Sequence, residues 1–422
     1  MRIFTKPWVL ILLFLPFFKP ESFAYLPVPF PQIDTLLTLA KAVIFVLAAL
    51  LYLADKKISP FMVSIGVFNL IYLVSTLINH GNLKTALITI ASAAGACLLA
   101  ELAIRLSFST FLKSVFFLLS GLLVLHLLSQ FIFPKGMVWV DYYYYACYFL
   151  NIDNLMAPLL FLEMLVTILY SEFFYQRITW PAVGMLAVTS VILLKSWSAS
   201  ALVGWFVFFI FLIFFYRRKY GRFVQFLTVS IAYVVIFFSI VVLRLQNLFS
   251  FIIVDILHKD LTLTHRTEFW DYAFTKISQN WLYGLGEAVE KGHVWSSYYS
   301  LFYNGHNIIL ELLLDGGIIL LAAFLVTLFL CGRKVHSVRR HPWATLVSGV
   351  LFSFFVVMLL ETYNKASGFW IMLVIAYQLP ICIAQKEEFE QEHPGYGERK
   401  GLSLKIYDSY TRLKNRVIRR NH

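Results

Sequence analysis

The chain has 422 residues, of which 60% are hydrophobic and only 14% are charged. A water-soluble protein carries about 25% charged residues, so the composition excludes an ordinary soluble domain. The formal net charge is +12, but the basic residues cluster directly after apolar stretches, as they do beside anionic lipid. We therefore expect a bilayer, and not nucleic acid, as the partner of this charge.

Twelve apolar stretches are long enough to cross a bilayer. A run of about 20 apolar residues satisfies its own backbone hydrogen bonds as a helix, which hydrocarbon requires. The sequence thus predicts an all-α polytopic integral membrane protein with about twelve transmembrane helices. The predicted spans lie near residues 8–24, 34–54, 60–79, 84–104, 109–133, 155–174, 180–195, 199–216, 223–245, 308–331, 343–360 and 367–385.

The basic clusters agree with one topology, in which both ends of the chain are cytoplasmic. Four regions follow from it: transmembrane helices 1–9 in residues 1–245, a large outer loop with short helices at 246–307, helices 10–12 in 308–385, and a basic cytoplasmic tail at 386–422. The loops expected inside contain Lys56, Arg105, Arg177, the 217–222 cluster and the 333–340 cluster.

The first 24 residues allow a second interpretation. A basic start, an apolar run and Ser22-Phe23-Ala24 resemble a secretory signal, and cleavage after Ala24 would leave eleven spans. We favour an uncleaved first span, because another apolar stretch opens almost at once at Asp34.

The four cysteines predict no disulfide framework. Three lie in or beside apolar spans, and Cys147 is expected to be water-accessible on the outer side. No cysteine or histidine spacing resembles a metal site, so neither a metal nor another cofactor is predicted.

The large outer loop is expected to contain a surface helix at 266–278. Its apolar residues recur at helical spacing, and Thr264 is a plausible N-cap. Arg266 would then lie in the first turn, where free backbone N–H groups favour an anion. The position suits an arginine that binds a negative group, although an arginine that snorkels to the headgroups fits as well. The apolar stripe comprises Phe269, Trp270, Ala273, Phe274 and Ile277.

The end of the same loop leads His306 into the tenth span. Asn307, Glu311 and Asp315 follow it at intervals of four residues and share one helical face. A polar stripe that enters a membrane helix faces protein or a water-filled cavity. Upstream, Gly284 and Gly286 permit a turn or a close backbone approach.

Two further cations are predicted near the outer surface. Lys195 occupies a short turn between spans seven and eight, and Arg244 ends span nine. Snorkelling explains each alone, but together with Arg266 they would form an electropositive pocket.

These motifs resemble the O-antigen ligase/polymerase superfamily over roughly residues 190–330. The elements that carry the resemblance are Thr264-His265-Arg266-x-x-x-Trp270, Gly284-x-Gly286, His306-Asn307-x-x-Leu310 and Gly316-Gly317. His265 replaces the glycine common before this arginine, and Lys195 stands where relatives commonly carry arginine.

The resemblance implies a glycosyltransferase similar in fold to the type C glycosyltransferases. Ligases of the family transfer a glycan from undecaprenyl diphosphate to lipid A–core at the periplasmic face of the Gram-negative inner membrane, with inversion and without metal or cofactor. His306 and Arg266 are then the expected catalytic residues. Arg266, Lys195 and Arg244 would bind the donor diphosphate, with support from Asn307, Glu311, Asp315, Gly284 and Gly286.

Several functions remain open at this point. A polymerase shares the motifs and extends the glycan on its own carrier, and a third relative glycosylates periplasmic proteins. We favour the ligase because the chain is compact and has a single dominant outer loop. A secondary transporter or lipid flippase is the alternative from a different class, with Lys41 and Glu163 as candidate buried charges.

Overall fold

A computed structural model describes residues 5–140, 145–152, 155–256, 258, 260–263, 265–287, 294–296, 299–301 and 305–393. The helices within these ranges are α1 Pro7–Phe14, α2 Phe30–Ala54, α3 Pro60–Ile78, α4 Leu83–Leu106, α5 Phe108–Ile132, α6 Ala157–Tyr175, α7 Trp180–Ser196, α8 Ala199–Ile210, α9 Phe226–Phe237, α10 Arg266–Gln279, α11 Ile308–Ser337, α12 Pro342–Val357 and α13 Ser367–Glu392. The strands are β1 Val138–Val140 with β2 Tyr145–Cys147, and β3 Val294–Ser296 with β4 Tyr299–Leu301, each pair antiparallel.

The predicted fold class is confirmed. Within the described residues, seven helices are long and apolar enough to cross a membrane, and five shorter apolar helical segments accompany them. These twelve segments correspond to the twelve predicted spans. The shorter segments are Pro7–Phe18, Trp180–Ser196, Ala199–Phe215, Phe226–Val242 and Pro342–Val357.

Two helices extend beyond the spans predicted from hydropathy. Helix α11 continues past residue 331 to Ser337, because Lys334 and His336 are favourable near the carbonyl end of a helix. Helix α13 extends to Glu392, where Lys386 and Glu390 pair one turn apart, so the predicted tail at 386–422 begins as helix. Residues 394–422 of the tail lie outside the described residues.

Polar side chains start several helices where the chain leaves a loop. Ser59 accepts a hydrogen bond from the Met62 amide at 3.1 Å, and Asn82 accepts one from the Thr85 amide at 3.1 Å. These caps satisfy amides that have no partner within the helix. They fix the first residues of α3 and α4 at the sequence positions predicted from hydropathy.

The centre of the bundle is formed by α4, α6 and α13, which are mostly buried, while α2 is mostly exposed. Helix α4 packs against α2, α3 and α13, and α11 packs against α3 and α13. Aromatic rings fill the centre: Phe369 stacks on Phe354 with ring centroids 5.6 Å apart. The exposed apolar side of α2 is suited to lipid, since hydrocarbon does not repel it.

The connections fall into two groups that match the predicted two faces. On one face, the Asn82 amide donates to the Glu287 carbonyl at 2.7 Å, and the Ile308 amide donates to the Met358 carbonyl at 3.0 Å. On the other, Arg105 donates to the Lys57 carbonyl at 2.7 Å. The loops predicted to share a side of the membrane therefore contact one another.

The expectation for Cys147 was wrong. Its side chain is buried, and its backbone pairs with Val138 where strand β2 meets β1. All four cysteines are buried and none forms a disulfide, as predicted. Tyr142, Tyr143 and Tyr144, in the connection between α5 and α6, lie outside the described residues.

Candidate active site

Helix α10 carries Arg266 at its first position, as the sequence predicts. Thr264, the expected N-cap, lies outside the described residues, and His265 precedes the helix with a positive φ of 64°. Trp270 and Ala273 of the apolar stripe are buried, and α10 packs against α11. The helix thus lies against the bundle with its first turn directed toward the connection between α12 and α13.

Glu361, in that connection, is the ion-pair partner of Arg266. The same arginine donates through Nε to the Leu360 carbonyl at 3.2 Å. The side chains of Arg266 and Glu361 are 15% and 11% exposed. An ion pair with so little solvent exposure is stable only where its geometry is good, since each ion loses its hydration.

The same carboxylate lies beside His306. Glu361 Oε2 is 3.8 Å from His306 Nδ1, and the imidazole ring lies against the Phe269 ring with centroids 4.8 Å apart. Burial by itself would raise the pKa of the Glu361 carboxyl, but His306 and the Arg266 guanidinium outweigh it and hold that pKa below its usual range. Glu361 is therefore an anion shared by the two residues that the sequence singled out as catalytic.

Asn307 fixes the position of His306 by capping α11. Its Oδ1 accepts from the Ile309 and Leu310 amides at 2.9 and 3.2 Å. Its Nδ2 donates to the Leu359 carbonyl at 3.1 Å. The cap thus joins the start of α11 to the connection that carries Glu361.

The polar stripe of α11 faces protein, as expected. Glu311 accepts from the Gly305 amide at 2.7 Å, one residue before His306. Asp315 accepts from Asn364 Nδ2 at 3.1 Å and lies 3.6 Å from Lys365 Nζ. The two carboxylates hold the chain around the site and have no described contact with His306 itself.

Gly284 and Gly286 form a turn that is wedged between α3 and a kink in α11. Both glycines have positive φ, 66° and 68°. A Cβ on Gly284 would lie 2.5 Å from the Leu314 carbonyl oxygen, and one on Gly286 would lie 2.4 Å from Thr76 Cα. Glycine is required here for both the conformation and the close approach.

The kink itself lies at Gly316-Gly317, where α11 departs from helical geometry. The kink frees backbone groups that the turn satisfies. The Leu285 amide donates to the Leu314 carbonyl at 2.6 Å, and the Ile318 amide donates to the Trp281 carbonyl at 2.8 Å. The Gly-x-Gly and Gly-Gly motifs, distant in sequence, therefore form one structural unit.

A second charged cluster, centred on Lys365, anchors this unit. Lys365 Nζ lies 2.7 Å from Glu287 Oε2, which also accepts from the Tyr72 hydroxyl. Burial would lower the pKa of Lys365, but Asp315 and the other nearby acidic groups raise it well above its ordinary value. Lys365 thus stays charged and joins the α12–α13 connection to α3 and α11.

The two remaining predicted cations, Arg244 and Lys195, contact different helices. Arg244 lies beside α10, with its guanidinium 2.6 Å from Asp271 Oδ1 and 4.8 Å from the Trp270 ring centroid. Lys195 is exposed at the end of α7, with Nζ 4.2 Å from the Phe131 ring centroid on α5. Arg244 therefore belongs to the neighbourhood of Arg266, whereas the described contacts of Lys195 place it beside another helix.

The model of the family described as O-antigen ligase matches residues 182–325. This segment is therefore similar to the O-antigen ligase family. Members of this superfamily are glycosyltransferase-like enzymes, either ligases or polymerases. The match and the apolar helices together indicate a multi-pass bacterial membrane protein. No curated protein matches the chain.

The matched segment 182–325 contains every site residue that the sequence motifs indicated, but Glu361 and Lys365 lie beyond it. Sequence reasoning missed both. A signal was present: two charged residues occupy a six-residue outer connection between two strongly apolar spans. Charges at such a place are costly unless they have partners.

The acidic residues of the 246–307 loop that the structure describes form no metal site. In the described part of the chain, no group of three or more His, Cys, Asp and Glu side chains is arranged to hold a metal ion. Glu287 instead contacts Lys365 and Tyr72, and Asp260 accepts from the Thr262 hydroxyl.

Proposed function

We propose that this protein is an O-antigen ligase that transfers a glycan from undecaprenyl diphosphate to lipid A–core at the periplasmic face of the bacterial inner membrane. The observation that carries the proposal is that Arg266 and His306, beside the start of α11, both lie next to the largely buried carboxylate of Glu361. The superfamily supplies the reaction class, and these two residue types supply a cation for a diphosphate and a base for a hydroxyl.

In the proposed reaction, an acceptor hydroxyl of lipid A–core attacks the anomeric carbon of the glycan. The new C–O bond forms as the bond between that carbon and the diphosphate oxygen breaks, and the electron pair leaves with undecaprenyl diphosphate. Arg266 stabilises the charge that develops on the leaving group. His306 accepts the hydroxyl proton, which suits an imidazole near neutral pH.

A polymerase that extends the carrier-linked glycan is the second candidate, since it shares the superfamily motifs. Deletion of the gene separates the two. If the protein is the ligase, cells lacking it accumulate full-length glycan on the carrier while lipid A–core stays uncapped. If it is the polymerase, they cap lipid A–core with a single repeat unit, which would contradict our proposal. A transporter is less well supported, although Lys41 and Glu163 are indeed buried.

We expect residues 246–307 to be periplasmic. In a cysteine-free background, Ser278→Cys on the exposed side of α10 should react with an impermeant thiol reagent in intact spheroplasts. Ser337→Cys, exposed at the far end of α11, is the matched control and should react only after permeabilisation. The reverse pattern would invert the orientation and end the proposal of a periplasmic ligase.

Transfer is expected to need no divalent metal, because fixed cations stabilise the leaving diphosphate in place of a metal. The purified protein should therefore keep its rate in excess EDTA. Loss of activity in EDTA with recovery on adding Mg²⁺ or Mn²⁺ would show that fixed cations do not replace the metal. Asp255, Asp260 and Glu287 would then become the candidate metal ligands.

A further inference from the structure

We propose that Glu361 is an exchangeable positioning residue: it occupies Arg266 until the donor diphosphate displaces it, and it then serves His306 during transfer. This inference rests on the proposed function and assigns a role to a residue outside the matched segment 182–325.

Each carboxylate oxygen of Glu361 faces a different partner. Oε1 pairs with the Arg266 guanidinium, and Oε2 lies 3.8 Å from His306 Nδ1. That second separation is within ion-pair range and longer than a direct hydrogen bond. A small movement of the carboxylate toward the imidazole would therefore complete one contact while it opens the other.

Arg266 can keep its position when the Glu361 carboxylate moves away from it. Its Nε donates to the Leu360 carbonyl at 3.2 Å, so the side chain stays anchored when Oε1 leaves. The remaining donors of a guanidinium fit a phosphate in the same planar, two-pronged way that they fit a carboxylate. A diphosphate brings more negative charge than Glu361, so the sheltered cation is never left without an anion, which would be costly.

Glu361 is also suited to its second partner. As the acceptor hydroxyl gives its proton to His306 Nε2, the imidazole becomes a cation. A carboxylate that accepts from Nδ1–H stabilises this cation and keeps Nε2 directed at the hydroxyl, as in the Ser-His-Asp triad. The proton stays on His306, and Glu361 remains ionised throughout, consistent with its lowered pKa.

A purely structural ion pair predicts a different outcome from an exchangeable one. If Glu361 only held α10 in place, its loss would weaken donor binding and slow transfer together. If it competes with the diphosphate for Arg266, removing its charge must tighten donor binding while transfer slows.

The test uses the full-length protein and the variant Glu361→Gln, which keeps the size of the side chain and removes its charge. Undecaprenyl diphosphate binding and glycan transfer at saturating donor are measured on each protein. We expect binding to tighten roughly 5-fold, because the diphosphate no longer has to displace an ion pair whose net contribution is small after desolvation, and kcat to fall about 10²-fold, the scale of impaired general-base catalysis. Glu268→Gln removes an exposed carboxylate from the same end of α10 and should change neither quantity.

Weaker donor binding by Glu361→Gln, or an unchanged kcat, would overturn the inference. Glu361→Asp provides a second test that retains the charge: its kcat should exceed that of Glu361→Gln, and an equal or lower value would also overturn the inference. The two proposals fail differently. Wild-type protein that transfers no glycan contradicts the proposed function, whereas active wild-type protein with either contrary variant result contradicts only the role of Glu361.

Discussion

Replacing His306 by alanine is expected to abolish glycan transfer while the protein stays folded in the membrane. The imidazole lies at the start of α11, and Asn307 rather than His306 makes the hydrogen bonds that cap this helix. Removing the proposed base should lower the rate by about 10²–10⁴-fold. Transfer by the purified variant, together with its elution as a single species, measures activity and folding separately.

His336→Ala is the matched control for this variant. His336 is exposed at the opposite end of the same helix, so its loss removes a histidine from α11 without approaching the site. The control should transfer glycan at the wild-type rate. Near-normal transfer by the His306 variant would remove His306 from the mechanism.

Replacing Arg266 by alanine is expected to have the second large effect. The variant should lose both donor binding and transfer, because it leaves the diphosphate without its cation and leaves the Glu361 carboxylate sheltered beside an empty position. Arg266→Lys should recover little, since an ammonium cannot reproduce the planar, two-pronged contact. Binding of undecaprenyl diphosphate and the transfer rate are the two measurements.

Lys276→Ala, in the last turn of the same helix α10, is the control and should bind and transfer normally. Lys195→Ala should weaken transfer less than the loss of Arg266, because its described contact is with the Phe131 ring on α5. Unchanged donor affinity in Arg266→Ala would place the diphosphate elsewhere.

Features that depend on local periodicity could be predicted from the sequence. The twelve apolar segments follow from hydropathy, since each helix satisfies its own backbone in lipid. The helix predicted at 266–278 is present at Arg266–Gln279. The polar face of Asn307, Glu311 and Asp315 is buried against protein, as its helical spacing indicated.

Contacts between distant parts of the chain could not be predicted in this way. Glu361 meets Arg266 across 95 residues, and Lys365 meets Glu287 across 78. Spacing along one helix carries no information about which loop lies above it. The different neighbours of Lys195 and Arg266 have the same origin: both residues were expected at the outer surface, and the packing of α7 and α10 determines what each contacts.

The most direct test of the proposed function is transfer by the purified protein in detergent, given undecaprenyl-diphosphate-linked glycan as donor and lipid A–core as acceptor. We predict that glycan appears on lipid A–core and that undecaprenyl diphosphate is released. If the glycan instead grows longer on its carrier while lipid A–core stays unmodified, the protein is a polymerase, and the proposed ligase function is wrong.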